Sequence, residues 1–133
     1  MMFLLDTNII SELTRSKPNQ NVINWSAKLS EIRISVITVD EIYYGLAWKP
    51  NSRIKVWFDT FIDSKCLILP VTPTIAKVAG QLRGRLQSQG KPRTQADMMI
   101  AATAQIHQLT LVTRNTRDFE GCGIRFINPF LAE

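Results

Sequence analysis

Five short β-forming runs, separated by stretches of helical period, limit what this chain can become more than any other feature. FLL (3–5), IRISVI (32–37), LILPV (67–71), LTLVT (109–113) and IRFIN (124–128) are three to six residues long and mostly apolar. Strands buried on both faces of a parallel sheet have this character. Between them, apolar residues recur at helical spacing. The stripes are Val39, Ile42, Tyr43, Leu46 and Ala47; Ile54, Trp57, Phe58 and Phe61; Ile75, Val78, Ala79, Leu82 and Leu86; and Ala96, Met99, Ile100, Thr103 and Ala104. The resulting order βαβααβααββ predicts a three-layer α/β/α sandwich around a mainly parallel sheet. Lys-Pro-Asn-Ser at 49–52 and Gly-Lys-Pro at 90–92 read as loops.

A chain of 133 residues, 45% hydrophobic, fits a single domain spanning 1–133 with a core of its own. Its longest apolar stretches, MMFLL and MMIAA, are five residues, far short of the roughly 20 that a membrane helix needs. Neither a basic n-region nor a long apolar h-region opens the chain, so no signal peptide is expected and a cytoplasmic location follows. Cys66 and Cys122 form no CxxC pair, which speaks against thiolate zinc and for reduced cysteines. His107, the sole histidine, lies near the end of a helical stripe and reads as a packed or capping residue. Histidine-centred acid–base catalysis is thereby set aside. Sixteen basic against eleven acidic residues give a net charge of +5, which suits a polyanionic partner. The basic residues are scattered, so charge alone does not identify one.

In open parallel sheets, functional sites gather beyond the carboxyl ends of the strands. Asp6 follows FLL directly, Glu41 opens the helix after the second strand, and Asp118 lies in the loop after LTLVT. Asp97 begins the helix that feeds LTLVT and can reach the same edge. Each acid also has a purely structural reading. Thr38-Val-Asp-Glu41 and Thr94-Gln-Ala-Asp97 match the capping-box pattern; Asp6 can cap the helix that follows it, and Asp118 a turn. On a helical wheel Glu41 shares its face with Gly45 and Trp48, opposite the apolar stripe. Glycine in mid-helix costs about 1 kcal/mol relative to alanine, so Gly45 suggests a close approach at that face. Asp97 sits at the margin of a helix that is otherwise apolar almost all round, as a central helix carrying its acid at the edge of the core would be. Brought together, such acids repel by about 4 kcal/mol per pair at about 4 Å and an effective dielectric near 20. The cluster must take up protons or cations. With no histidine or CxxC alongside, hard oxygen donors select Mg²⁺ or Mn²⁺, which accept substrate phosphate oxygens. Phosphoryl chemistry is the expectation.

DTNIISEL (6–13), SVITVDEIYYGL (35–46), ADMMIAATA (96–104) and TRNTRDFEG (113–121) followed by INPF (127–130) together resemble a PIN-domain ribonuclease, and most of all the VapC toxins of prokaryotic toxin–antitoxin pairs. The likeness runs over nearly the whole chain, in order. It implies an α/β/α sandwich, metal-dependent endoribonuclease activity with Mg²⁺ or Mn²⁺, and a homodimer. It also implies inhibition by a cognate VapB-like antitoxin whose tail occupies the site, in a heterotetramer or larger assembly. By position, Asp6, Glu41, Asp97 and Asp118 correspond to the family's acidic quartet. Asn8 and Thr113 correspond to polar supports that orient Asp6 and a metal-bound water. Asn115 departs from the pattern, since many members carry an acid there; Asp118 is then the acid of that loop, and a second ion would be held loosely. Asp40 adjoins Glu41, but the E-x-x-x-G spacing to Gly45 selects Glu41.

The expected reaction is hydrolysis of an RNA phosphodiester by a metal-activated water, without a protein nucleophile. Arg114 and Arg117, beside the acidic loop, and Lys91 and Arg93, before Asp97, are candidates for phosphate contacts or are simply solvated charge. Tyr44, Trp48 and Trp57 are candidates for an exposed aromatic surface facing a partner, with Trp57 better read as core. Three rivals remain. An aspartyl phosphatase usually carries a second acid two residues after the first, where this chain has Asn8. A phosphoacceptor receiver domain expects an adjacent acidic pair before the acceptor strand and a lysine after a late strand, and neither is in place. A non-catalytic PIN-fold RNA-binding or interaction module would keep the fold, and the retention of all four acids argues against it.

Overall fold

The computed structural model describes residues 2–131. In chain order the elements are β1 (Phe3–Leu5), α1 (Thr7–Leu13), α2 (Gln20–Ser26), β2 (Ile32–Ser35), α3 (Val36–Trp48), α4 (Ser52–Lys65), β3 (Cys66–Leu69), α5 (Pro73–Ser88), α6 (Gln95–Ile106) and β4 (Thr110–Val112). A short 3-10 helix (Thr116–Phe119) and β5 (Phe126–Ile127) follow. All strand pairs are parallel, in the order β3-β2-β1-β4-β5. The expected α/β/α sandwich is what forms.

Side-chain alternation explains how so short a central strand is held. Leu4 joins the core under α5 and α6, with Ile75, Leu82, Leu86, Met98 and Leu111. Leu5 joins the opposite core under α1 to α4, with Ile9, Ile10, Ile34, Phe58 and Val112. Each fully buried leucine contributes about 1.5–3 kcal/mol. A one-residue slip of β1 would exchange its two faces and forfeit both sets of contacts, so the register of Leu5, and of Asp6 after it, is fixed.

The stripes over 75–86 and 96–104 became α5 and α6, and α6 is buried nearly all round through Met98, Ile100, Ala101, Ala102, Thr103 and Ala104. His107 caps the end of α6, and both cysteines are free. Trp57 stacks on Phe61 at 4.7 Å between ring centroids, in keeping with its core reading.

Two expectations need correction. Only one helix was expected between β1 and β2, but α1 and α2 are separate: α1 ends at Leu13, capped by Thr14, and the Asn19 side chain accepts from the N–H groups of Asn21 and Val22 to start α2. The second strand was expected to run to Ile37, but it stops at Ser35, whose hydroxyl accepts the Ile37 N–H at 3.0 Å and starts α3 early. No helix among the described residues is long and apolar enough to cross a membrane.

Candidate active site

Asp6 leaves the carboxyl end of β1 with its backbone N–H bonded to the Val112 carbonyl of β4 at 2.9 Å. It then caps α1 in an extended conformation. Its carboxylate is almost wholly buried and accepts three hydrogen bonds. The Thr7 N–H donates to Oδ1 at 2.8 Å, and Asn8 Nδ2 and Thr113 Oγ1 donate to Oδ2 at 3.1 and 2.8 Å. Thr113 Oγ1 in turn accepts from Asn8 Nδ2 and from the Asn115 N–H, while Asn8 Oδ1 accepts from the Arg114 N–H at 3.0 Å. Asn8 and Thr113 thus tie the end of β4 to the acid, and Asn115 contributes only its backbone N–H.

The Glu41 carboxylate is held by a residue that the sequence reading did not single out. Thr7 Oγ1 donates to Glu41 Oε1 at 2.6 Å, and Thr38 Oγ1 lies 3.1 Å from the same hydroxyl. The capping-box reading of Thr38 and Glu41 is therefore wrong, because Ser35 caps α3 and Glu41 lies in its second turn rather than at its opening. The close approach inferred from Gly45 is absent too: a Cβ built there would meet nothing within 4 Å. For Asp97 the capping reading does hold. Thr94 caps α6 and its Oγ1 accepts the Asp97 N–H at 3.1 Å, so Asp97 is both a first-turn acid and a member of the site.

Asp6, Glu41 and Asp97, from three separate segments, line one open pocket of about 540 Å³ with Thr7, Asn8, Glu12, Arg15, Arg114 and Asn115. Two larger concavities lie elsewhere, one beside α2 and the chain's last turn and one between α2 and α4, and neither includes any of the four acids. Burial pushes the Asp6 carboxyl up from its ordinary 3.8 to about 6. Hydrogen bonds from Thr113 and Thr7 oppose the rise, and the charges of Asp97 and Glu41 add to it. Asp97 is raised as well, first by burial and then by Asp118 and Glu41, against the Thr94 hydrogen bond and the Arg93 charge. The acids feel one another, as an anion-rich site should.

Asp118 stands apart. It lies in the 3-10 helix, outside the lining of the pocket, and influences Asp97 rather than Asp6. Arg93 is not free for a substrate phosphate either: its guanidinium donates to the carbonyls of Asp118 at 2.9 Å, Lys91, Pro92 and Glu120, clamping the loop before α6 to the 3-10 helix. Lys91 and Arg117 are exposed and outside the pocket lining, whereas Arg114 is part of it.

Among the described residues, no three Asp, Glu, Cys or His side chains stand close enough to enclose one ion between them. The donor set nevertheless fits Mg²⁺ or Mn²⁺ in kind. It is all oxygen, and Mg²⁺ keeps several waters and binds through one or two carboxylates rather than an all-protein cage.

Comparison with known proteins decides the family: residues 3–121 match the PIN domain. The chain belongs to the PIN-domain family. It is 36% identical to the Toxin FitB of Neisseria gonorrhoeae, covering 97% of this chain and 99% of that protein. It is 33% identical to the VapC ribonuclease Y4jK of Sinorhizobium fredii, covering 97% and 98%. Its fold superposes with a TM-score of 0.85, at 27% identity, on a chain in the crystal structure of VapBC2 from Rickettsia felis bound to a DNA fragment from their promoter, covering 96% and 98% of the two chains. The resemblance drawn from the four PIN motifs is borne out.

Proposed function

We propose that this PIN-domain chain is the ribonuclease toxin of a toxin–antitoxin pair, hydrolysing RNA phosphodiester bonds at the Asp6–Glu41–Asp97 pocket with Mg²⁺ or Mn²⁺. One observation carries the reading: three acids from distant segments line a single pocket together with Arg114 and Asn115. The similarity to a protein named a ribonuclease supports RNA as the substrate. Similarity to a protein named a toxin, and to a chain of a VapBC2 structure, supports a VapB-like antitoxin as partner. A cytoplasmic location follows from an RNA target. The aromatic rings of Tyr44 and Trp48, 68% and 70% exposed on α3, are the candidate contact surface for the second copy of a homodimer or for the antitoxin.

In this mechanism Asp6, Glu41 and Asp97 would offer carboxylates to a cation, one or two binding it directly and the others through its waters, and Asp118 would act on the site through its charge on Asp97. The chemistry such a cation would supply is activation of a water and neutralisation of charge on the phosphate oxygens. The protein's own part is to hold its acids still. Thr7 ties two of them together, giving its N–H to Asp6 and its hydroxyl to Glu41, while Thr113 and Asn8 prevent Asp6 from turning away. The raised proton affinities of Asp6 and Asp97 mean that protons would compete with a cation for the site as pH falls toward about 6.

The test is RNA cleavage by purified, antitoxin-free protein in Mg²⁺, Mn²⁺ or EDTA, beside Asp6→Ala and Asp97→Ala. Cleavage that needs the cation and both acids is expected. Undiminished cleavage by either folded variant, or in EDTA, overturns the assignment.

A further inference from the structure

We propose that Arg114, pinned over the Phe130 ring, is the cation that grips a backbone phosphate of the RNA beside the acid pocket, and that Phe130 is the positioning residue that aims it. The inference rests on the ribonuclease reading above and adds to it a substrate contact and the device that fixes it.

The arginines near the pocket differ in how they use their donors. Arg93 gives its guanidinium to four backbone carbonyls. Arg15, also in the pocket lining, is paired with Glu12 at 3.3 Å. Arg53 donates to the Thr14 carbonyl. Arg114 lines the same pocket as Asp6, Glu41 and Asp97, yet among the described residues its guanidinium forms no ion pair and no hydrogen bond. Its Cζ instead lies 4.5 Å from the centroid of the Phe130 ring. A guanidinium stacked on an aromatic face keeps its in-plane N–H donors pointing outward. Those donors match the paired oxygens of a phosphodiester, which favour planar, bidentate recognition.

Both ends of Arg114 are fixed, which is unusual for an exposed arginine. Its backbone N–H donates to Asn8 Oδ1, the residue that also holds Asp6. Phe130 is fixed in turn: its N–H donates to Asn128 Oδ1 at 2.9 Å, its carbonyl accepts from Asn21 Nδ2 at 2.9 Å, and its ring packs against the core under α1 to α4. The ring holds the cation at the rim of the pocket instead of letting it collapse onto the carboxylates, where it would compete with the metal. A pre-aimed cation loses less freedom when it grips its anion.

The test uses a fluorescein-labelled single-stranded RNA of mixed sequence, bound in Mg²⁺ to Asp97→Asn protein so that no cleavage intervenes, with steady-state cleavage measured on the otherwise native chain. Arg114→Ala is expected to weaken binding about tenfold or more and to flatten the slope of log K against log salt by about 0.7, one phosphate contact on a single strand. Arg114→Lys, which keeps the charge but loses the plane and the stack, should recover only part of the binding. Phe130→Leu, which keeps an apolar side chain without the aromatic face, should raise KM several-fold with kcat little changed, and Phe130→Trp should restore KM. Arg114→Ala binding with native affinity and salt slope overturns this inference and leaves the ribonuclease reading standing. So does Phe130→Leu with an unchanged KM, as regards the positioning role. No RNA binding by the Asp97→Asn protein at all would remove both.

Discussion

The two ends of helix α1 carry two acids that the fold buries almost equally, Asp6 and Glu12, and treats in opposite ways. At the far end, Glu12 Oε2 accepts the Asn19 N–H at 2.8 Å and Oε1 meets the Arg15 guanidinium. Although it too lines the pocket, its charge is answered from within, and it holds the start of α2. At the near end, Asp6 has only uncharged donors and feels two further acids. Burying a charge without a partner is costly. A protein that retains such a group beside others of the same sign has left the neutralising charge to come from outside. On the proposed reading, the contrast separates an acid answered by the fold from acids left for a cation.

The largest expected effect separates the two acids by activity. Asp6→Asn or Asp97→Asn should lower RNA cleavage by about 10²–10³-fold, whereas Glu12→Gln should leave the rate per folded molecule within a few-fold, measured by initial rates on molecules shown folded by circular dichroism. Equal losses at both ends would erase the distinction.

Next comes the pH dependence of stability without metal. Asp6 binds its proton more tightly in the folded protein, at about 6, than in the unfolded chain, at about 3.8. Between these values the folded state holds more protons, so stability falls as pH rises through that window and the deficit persists above it. The full shift corresponds to about 3 kcal/mol as an upper bound. Urea titrations in EDTA at pH 4.5 and 7.5 should show the decline, Asp6→Asn should flatten it, and added Mg²⁺ should restore stability at pH 7.5 in the native chain only.

Glu12→Ala is expected to destabilise by about 1–2 kcal/mol, the usual cost of removing a charged acceptor from a half-buried donor. The same urea midpoint reads it, and a neutral result would mean that this acid is not structural. The smallest effect belongs to α3, the helix that presents Glu41 to α1. Gly45→Ala should stabilise by up to about 1 kcal/mol, because its Cβ enters open space, and should leave cleavage intact.

Much of this was legible in the chain because local periodicity and the order of elements determine it. Four of the five strands fell within the runs read from their apolar character and β3 began one residue early, at Cys66, while the α5 stripe matched its buried face apart from the half-buried Val78. Three of the four acids came together at the strand ends because Asp6 follows a strand, Asp97 lies in the first turn of a helix and Glu41 in the second turn of another. What escaped depended on competition between neighbours or on contacts far apart in sequence. Helix α2 is a single short segment, QNVINWS, without a repeated stripe. The start of α3 went to Ser35 over Thr38 because Ser35 stands where the backbone first turns, and Thr38 was then free to sit beside Thr7. The Thr7–Glu41 bond spans 34 positions, and nothing local announces it. Arg93 looked like a substrate contact because two of its four backbone acceptors, the carbonyls of Asp118 and Glu120, lie across a loop that sequence spacing cannot close.

Strand β1 has a neighbour on each side and a helical layer above and below. Its final amide and that of Asp6 should therefore be among the last to exchange with solvent, opening only when the whole domain does. An acid mounted there does not fray away ahead of the fold. On heating, RNA cutting should vanish together with the near-ultraviolet signal of the packed aromatics, in one transition and not two.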